Sequence, residues 1–246
     1  LYAKHNPKIL FEPNTNWKYS NTGYALLASV IEKVSGMNYG AYLNKVIFKP
    51  LKMKNTTVFR RRYTSQQINN YALGYVYSDS LKKYILPDDF AETKYVVWLD
   101  GIVGDGTVNS TVIDLLKWDR ALYTNNLLSE EGMKEIFKVA TLNDKSKTQY
   151  GFGWFIEENV DFGKIVAHSG GWPGYKTIID RHITNDKTII ILQNHENVSI
   201  PVKSIRAILY IKPIPKATER KEIPLRIEQL EQFVGIYEVE KDFEIK

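Results

Sequence analysis

The sequence predicts a mixed α/β (α+β) fold, in which an antiparallel sheet is flanked by helices and accompanied by a mainly helical part. In the first part of the chain, apolar residues recur at intervals of three and four, as on the buried face of a helix. In the later part, β-branched and aromatic runs alternate with turn-rich spacers, which is typical of an antiparallel meander. These runs cover residues 152–156, 164–168, 176–180 and 188–193.

The first predicted helix is bounded by recognisable residues at both ends. Ser20 and the two residues after it can cap its N-terminus, and Gly36 suits the left-handed residue that ends a helix. We expect its apolar stripe to pack on a core. The stripe consists of Leu27, Val30, Ile31 and Val34. A second stripe over residues 42–47 predicts another helix, which Pro50 terminates.

The middle of the chain is less regular, and residues 56–100 are predicted to form short strands and loops. The glycine-rich residues 101–106 are interpreted as a tight turn, because no Lys-Ser/Thr and no βαβ pattern accompany them. Capping residues at 110–111 and at Ser129 predict two further helices, and a last helix follows Pro201. On the helix after residue 111, three apolar side chains share one side: Ile113, Leu116 and Leu122.

Composition narrows the functional classes. The 246 residues carry 33 Lys and Arg against 28 Asp and Glu, without a sustained basic run, so we expect no nucleic-acid binding. The absence of cysteine excludes disulfides and a thiol nucleophile. The longest apolar run, residues 189–192, is too short to cross a bilayer, so no transmembrane segment is predicted. His5, His182 and His195 lack ligand-like spacing, so we expect no metal and no cofactor.

Two polar clusters stand far apart in the sequence. In residues 17–24, the phenol of Tyr19 and the carboxamide of Asn21 precede an apolar helix, which holds a proton-carrying group beside a two-way hydrogen bonder. On this cluster alone, an ordinary loop aromatic and a helix cap would be the better interpretation. In residues 167–175, glycines follow His168 at a predicted strand end, where they let a substrate approach the backbone N–H groups.

Together with landmarks between them, the two clusters resemble the class C β-lactamase-related serine hydrolases, which include β-lactamases, penicillin-binding D-alanyl-D-alanine peptidases and esterases. The matching stretches are Phe11-Glu12-Pro13, Tyr19-Ser20-Asn21-Thr22-Gly23-Tyr24, Ile47-Phe48-Lys49-Pro50-Leu51-Lys52-Met53, Tyr150-Gly151-Phe152-Gly153-Trp154 and His168-Ser169-Gly170-Gly171-Trp172-Pro173-Gly174. They occur in the family's order. The resemblance implies a β-lactamase/transpeptidase-like fold and acyl transfer through Ser-x-x-Lys, Tyr-x-Asn and Lys/His-x-Gly elements.

The resemblance also implies roles for individual residues. Tyr19 would be the proton carrier, and Gly171 would donate an oxyanion N–H. The residues that would bind substrate are Asn21, Ser169, Gly170 and Gly171. His168 replaces the lysine of Lys-Thr-Gly; it would polarise Tyr19 or bind a substrate carboxylate, which favours a peptidase or esterase over a β-lactamase. We expect a periplasmic or secreted hydrolase of small-molecule or peptide substrates that bear a carboxylate.

One element of the resemblance is missing. Residues 80–83 match Ser-x-x-Lys in letters, but they follow the Tyr-x-Asn loop and lack an apolar helical stripe, so Ser80 is interpreted as a decoy. We expect an N-terminally truncated chain whose nucleophile lies upstream and which is inactive by itself. The alternative is a catalytically silent binding or sensing domain that keeps the cleft.

The charge and proline pattern predicts three segments. Residues 1–211 would form the hydrolase domain. Residues 212–224 contain three prolines among charged residues and are predicted to be a linker. Residues 225–246 resemble the start of a small β module that is truncated at its C-terminal end, because so few residues cannot form such a module alone.

Overall fold

The computed structural model describes residues 9–65, 67–124, 126–195, 199–214, 226, 231, 237–240 and 243–245. The contacts between Cα atoms divide the chain into two compact units, Leu1–Ile200 and Pro201–Lys246. Both polar clusters belong to the N-terminal unit. The candidate site is therefore built within that unit.

The helices of the N-terminal unit begin and end close to where capping residues predict. In helix α1 (Asn21–Ser35), Ser20 Oγ accepts a hydrogen bond from the Gly23 N–H at 3.0 Å, and Gly36 ends the helix with φ 67°. Helix α2 (Tyr39–Leu43) continues as a π-helical turn, Asn44–Phe48. Three more helices follow: α3 (Val96–Leu99), α4 (Val112–Ala121) and α5 (Glu130–Ile136). No helix within the described residues is long and apolar enough to cross a membrane.

A four-stranded antiparallel sheet confirms the predicted meander. Two short ladders precede it, β1 (Thr57–Val58) with β4 (Val108–Asn109) and β2 (Val76–Ser78) with β3 (Lys83–Ile85). The main strands are β5 (Phe155–Asn159), β6 (Gly163–Trp172), β7 (Tyr175–His182) and β8 (Lys187–Gln193). They lie side by side in sequence order, so each strand pairs with the next one along the chain.

The C-terminal unit is described in part. Helix α6 (Val202–Leu209) begins directly after Pro201, as predicted. Residues 215–224 of the predicted linker lie outside the described residues, and so does most of the predicted β module. The backbone of one antiparallel pair is described, β9 (Tyr237–Glu240) with β10 (Phe243–Ile245). The domain boundaries at residues 211 and 224 stay predictions.

The core of the N-terminal unit is formed by the sheet with helices α4 and α5. At its centre, Trp154 stacks on Trp118 with ring centroids 5.6 Å apart, and the Phe137 ring lies 6.1 Å away. The buried members of this cluster are Leu122, Trp154, Ile156 and Val166, against which Met133 and Ile136 of α5 pack. Full burial of such a side chain stabilises the fold by roughly 1.5–3 kcal/mol. Helix α5 therefore turns Met133 and Ile136 towards this core.

A buried ion pair ties α4 to the sheet. Asp119 and Arg181 have no exposed surface, and Arg181 Nε donates to Asp119 Oδ1 at 2.5 Å. Thr188 donates to the same oxygen at 3.0 Å, and Arg120 Nε donates to Oδ2 at 2.7 Å. The Arg181 guanidinium also lies 4.9 Å from the centroid of the Tyr123 ring. Since a buried charge is costly without its partner, the Asp119 carboxylate fixes the position of α4 against β7 and β8.

The apolar stripe of α1 is not packed on the core, contrary to the prediction. Leu27 and Val30 are each 55% exposed and Val34 is 83% exposed, whereas Ala28 is buried. A glycine-rich turn lies directly against Ala28, since a Cβ added at Gly104 would be 2.6 Å from the Ala28 Cβ. The wider apolar face therefore stays open in the described part of the chain.

Helix α4 turns two carboxylates into the unit, and of its predicted apolar side Leu122, which follows the last helical residue, is buried whereas the other two residues are exposed. Ile113 and Leu116 are 64% and 42% exposed, whereas Asp114 is fully buried. Asp114 accepts hydrogen bonds from the Asn55 N–H at 2.7 Å and from Lys117 Nζ at 2.6 Å. These donors compensate the burial of the carboxylate. Polar contacts thus set the orientation of this helix.

Replacing Asp119 by alanine should leave Arg181 buried without its partner and lower the free energy of unfolding by about 3–5 kcal/mol. Urea denaturation of the 246-residue chain measures the change. The control is Glu130→Ala, which breaks the exposed pair of Glu130 with Lys134 and should cost less than about 1 kcal/mol. Equal effects of the two substitutions would contradict the stabilising role given to the buried pair.

Candidate active site

Tyr19 and Asn21 flank the residue that caps α1. Ser20 is extended, with φ −147° and ψ 108°, and Asn21 is the first residue of the helix. The Ser20 hydroxyl is engaged by the Gly23 N–H, whereas Tyr19 and Asn21 both line a cavity. The cap thereby holds a phenol and a carboxamide at the rigid start of a helix, as the first polar cluster predicts.

The second cluster lies on a stretch of β6 that has one unpaired edge within the described residues. Strand β5 ends opposite Ala167, so residues 168–172 pair with β7 alone. The hairpin closes with a two-residue turn on the pair of Trp172 with Tyr175. Because the N–H groups of successive strand residues point to opposite edges, the Gly171 N–H points to the unpaired edge. This edge offers a backbone donor to a ligand.

The two clusters meet at one cavity of about 180 Å³. It is lined by Tyr19, Asn21, Tyr24, Gly104, Asp105, Tyr150, Gly153 and His168. A wider cleft of about 2080 Å³ shares three of these residues, Asn21, Asp105 and His168, and is also lined by Ser169, Gly170 and Gly171. The structure therefore brings all six residues singled out in the sequence to these adjoining spaces. In the part of the chain that is described, no three His, Asp or Glu side chains are placed to hold a metal ion.

Tyr150 contacts His168, and sequence reasoning does not single it out beyond its place in one of the resembling stretches. Its hydroxyl lies 3.0 Å from Nε2 of His168, while Nδ1 lies 2.6 Å from the carbonyl oxygen of Ser169. Because a carbonyl oxygen only accepts, Nδ1 carries a proton, and whenever Nε2 is unprotonated it accepts from the Tyr150 hydroxyl. With both nitrogens occupied, His168 makes no direct hydrogen bond to Tyr19, whose ring centroid is 6.0 Å away.

Two phenols of the cavity, Tyr19 and Tyr150, are held in their protonated form. Burial, followed by the proximity of Tyr24 and of Asp105, raises the pKa of Tyr19. Burial is also the largest cause of the raised pKa of Tyr150, followed by its hydrogen bond with Tyr24. Both phenols keep their protons at neutral pH. Tyr19 is 43% exposed against 5% for Tyr150, so Tyr19 is the more accessible of the two phenols to a ligand.

The Ser-x-x-Lys match lies away from this site. Ser80 is exposed in the turn between β2 and β3, where its Oγ is 3.1 Å from Oγ of Ser78. Lys83 is the first residue of β3, so no helical turn separates it from Ser80. Ser80 lines neither the cavity nor the cleft. Its surroundings are those expected of a turn residue.

Sequence comparison identifies the family to which this fold and site belong. A sequence model described as Beta-lactamase matches residues 3–208, which is most of the chain. The chain belongs to the beta-lactamase family. It is 43% identical over 234 residues to penicillin-binding protein 4* of Bacillus subtilis, a match that covers 92% of this chain and 52% of that protein.

Other proteins support the same beta-lactamase fold. A putative D-alanyl-D-alanine carboxypeptidase of Escherichia coli is 25% identical over 221 residues, which is 79% of this chain and 49% of that protein. The solved structure of an octameric penicillin-binding protein homologue from Pyrococcus abyssi is similar, with a TM-score of 0.67 and 26% identity over 82% of this chain and 44% of that one. The predicted fold is confirmed. The chain spans about half the length of the curated relatives it matches.

The two hydrogen bonds of His168 predict its ring tautomer. At a pH where the ring is neutral, the proton should reside on Nδ1, because the Ser169 carbonyl accepts it and Tyr150 occupies Nε2. Long-range ¹H–¹⁵N NMR correlations of the 246-residue chain distinguish the two tautomers. Tyr150→Phe should raise the fraction with the proton on Nε2, whereas Tyr84→Phe, outside the cavity, should not. A wild-type ring protonated at Nε2 would contradict this geometry.

Proposed function

We propose that this protein is a serine hydrolase that cleaves an amide or ester through an acyl-enzyme. The proposal rests on one observation, the meeting of the Tyr19–Asn21 segment with His168 and Gly171 at adjoining spaces. Acyl transfer needs a proton carrier, an oxyanion donor and a group that orients the substrate, and these residues offer all three. The substrate classes that fit are β-lactams, D-alanyl peptides and small esters.

Tyr19 is the proton carrier in this proposal. Its raised pKa favours the phenol, which can give a proton to the leaving group when the acyl bond breaks. To accept a proton from the nucleophile first, Tyr19 needs a nearby cation that lowers its pKa. The lysine of a Ser-x-x-Lys element would be such a cation. Proton transfer therefore links Tyr19 to a group that the cavity lining does not itself contain.

Asn21, Gly171 and His168 are the proposed substrate-binding groups. The Asn21 carboxamide can both donate to and accept from a substrate amide, and the Gly171 N–H can reach a developing oxyanion. When it is protonated on both nitrogens, His168 is a cation suited to a substrate carboxylate. These groups favour a small-molecule or peptide substrate that bears a carboxylate. A periplasmic or secreted location is proposed from the family resemblance.

The nucleophile is proposed to come from polypeptide beyond these 246 residues. The serines that line the cleft are Ser29, Ser110 and Ser169, and the third residue after each is Glu32, Ile113 and Trp172 in turn. None of these serines has the lysine that activates the nucleophile in a Ser-x-x-Lys element. The open apolar face of α1 supports a further covering segment, because contiguous exposed apolar side chains are typical of contact surfaces.

A catalytically silent binding or sensing domain is the second candidate. It is favoured by the same set of cleft serines, none of which is paired with a lysine at the required spacing. In that case the polar groups around the cavity would bind a peptide or a penicillin without transferring its acyl group. Reversible binding by the full-length protein, without a covalent adduct, would favour this candidate over the hydrolase.

Replacing Tyr19 by phenylalanine removes the proton carrier but keeps the ring that contacts Tyr150 and His168. In the full-length protein, turnover of a D-alanyl amide or ester should fall by roughly 10²- to 10⁴-fold, while the thermal midpoint changes little. Tyr84→Phe is the control, since Tyr84 lines neither the cavity nor the cleft. Turnover that survives in Tyr19→Phe would remove this residue from the mechanism.

The 246-residue chain should form no covalent adduct with a fluorescent penicillin, because it offers no lysine-activated serine in the cleft. Fluorescence of the denatured protein on a gel measures the adduct, with the full-length protein as the positive control. Ser80→Ala should not change acylation of the full-length protein, because Ser80 lies in the β2–β3 turn. An adduct that mass spectrometry maps to Ser80 would falsify the decoy interpretation.

A further inference from the structure

We propose that Asp105 binds a cationic amine of the substrate, so that the hydrolase selects aminoacyl substrates with a free ammonium group near the scissile bond. This inference rests on the proposed function and adds a substrate class to it. Asp105 is exposed and lines both the 180 Å³ cavity that contains Tyr19 and the wider cleft that contains Gly171. It is thus next to the proposed proton carrier and opens to the space where a substrate would lie.

The backbone next to Asp105 is held against α1. Gly104 has φ 103°, and a Cβ added there would be 2.5 Å from the Tyr24 carbonyl oxygen and 2.6 Å from the Ala28 Cβ. Only glycine allows the chain to come this close to the helix. Since α1 also carries Asn21 at its start, the turn sets the position of Asp105 relative to the substrate-binding carboxamide. Such fixed placement is what a specificity group requires.

The Asp105 carboxylate is available to a ligand. Within the described residues, no hydrogen bond or ion pair engages it. Other charged residues of the wider cleft are paired: Asp100 is bound by Arg62 at 3.2 Å, and both Arg61 and Arg62 are bound to Asp88 at 2.6 Å. Asp105 therefore presents a carboxylate, unpaired among the described residues, to the cavity, beside the protonated phenols of Tyr19 and Tyr150.

The cavity fits a compact cation. Its volume of about 180 Å³ is smaller than the ~300–1,000 Å³ of sites that enclose a drug-sized ligand, so it takes one functional group of a substrate. An ammonium group has three donors, and Asp105 and Asn21 both line the cavity, so a carboxylate and a carboxamide oxygen are the acceptors offered to it. Lys54 and Lys176 line the wider cleft but not the cavity, so the negative charge is local to the cavity.

A bound ammonium would also act on Tyr19. After burial and the proximity of Tyr24, the charge of Asp105 is the third cause that raises the pKa of Tyr19, and a cation on the carboxylate offsets this third contribution. Tyr19 then ionises more readily and becomes a better base toward the nucleophile. An amine-bearing substrate should therefore gain in kcat as well as in binding. This behaviour separates a specificity group at Asp105 from a residue that only maintains the fold.

The first test measures binding and needs no turnover. Titration of the 246-residue chain with D-alaninamide at pH 7, followed by NMR shifts of the Gly104–Gly106 amides, should show binding that N-acetyl-D-alaninamide, which has no charge, does not reproduce. Asp105→Asn should weaken the affinity for D-alaninamide roughly 10- to 100-fold, as expected for a hydrogen bond to a charged group. Asp89→Asn, at an exposed residue of the 3-10 helix Pro87–Asp89 and outside both the cleft and the cavity, is the control. Equal affinities of wild type and Asp105→Asn would overturn the proposal.

The second test uses the full-length protein with D-alanine p-nitroanilide and its N-acetyl form. Wild type should prefer the free amine, and Asp105→Asn should reduce the ratio of the two kcat/KM values roughly 10- to 100-fold. The variant should lose affinity for the free amine, and kcat for the N-acetyl form should rise, because the charge that raises the pKa of Tyr19 is gone. Hydrolysis of both substrates with a ratio that Asp105→Asn does not change would overturn the role of Asp105. Hydrolysis of neither, with amine binding intact in the first test, would instead count against the proposed function alone.

Discussion

The place where β5 stops pairing with β6 determines the candidate site. Up to Ala167 the strand has a neighbour on both sides, and beyond it β7 alone holds the backbone. One hydrogen-bonding edge of residues 168–172 is thereby left open, at the point where α1 presents Tyr19 and Asn21. The buried contact of Arg181 on β7 with Asp119 on α4 holds this hairpin in the unit. The site thus depends on a stretch of β6 that pairs with β7 on one edge and, among the described residues, is unpaired on the other.

Much of the fold can be predicted from the sequence, because its signals are local. Ser20 and Gly36 mark the ends of α1 through their own capping chemistry, and alternating β-branched residues mark the sheet. Strand β6 is longer than predicted. Its residues 169–171 lack side chains typical of strands, and their extended form comes from pairing with β7. Local propensity cannot report a partner strand.

The faces that the helices bury could not be predicted in the same way. Periodicity places Leu27 and Val30 of α1 inside, yet the glycine turn packs against Ala28 instead. On α4, Asp114 faces inward and accepts hydrogen bonds from Asn55 and Lys117. Asn55 is far from Asp114 in sequence, so local periodicity does not reveal this contact. In the site, the motifs indicate Tyr19 and His168, whereas the hydrogen bond of Tyr150 to His168 exists only once the strands are paired. Tertiary contacts of this kind carry no local pattern.

At the start of α1, the residue that caps the helix and the residues that line the cavity are different neighbours in the sequence. Ser20 uses its hydroxyl to hold the helix start, and the residues on either side of it turn their side chains to the cavity. Ser20, whose hydroxyl binds the helix backbone, is therefore covalently joined to Tyr19 and Asn21, which are proposed to contact the substrate. In a mutational map of activity, Ser20 would be indistinguishable from the groups that carry out the reaction, although its contribution is to the backbone angle at which its neighbours are displayed. A loss of activity in such a map can therefore come from a residue that sets the backbone geometry of a helix start as well as from one that takes part in the reaction.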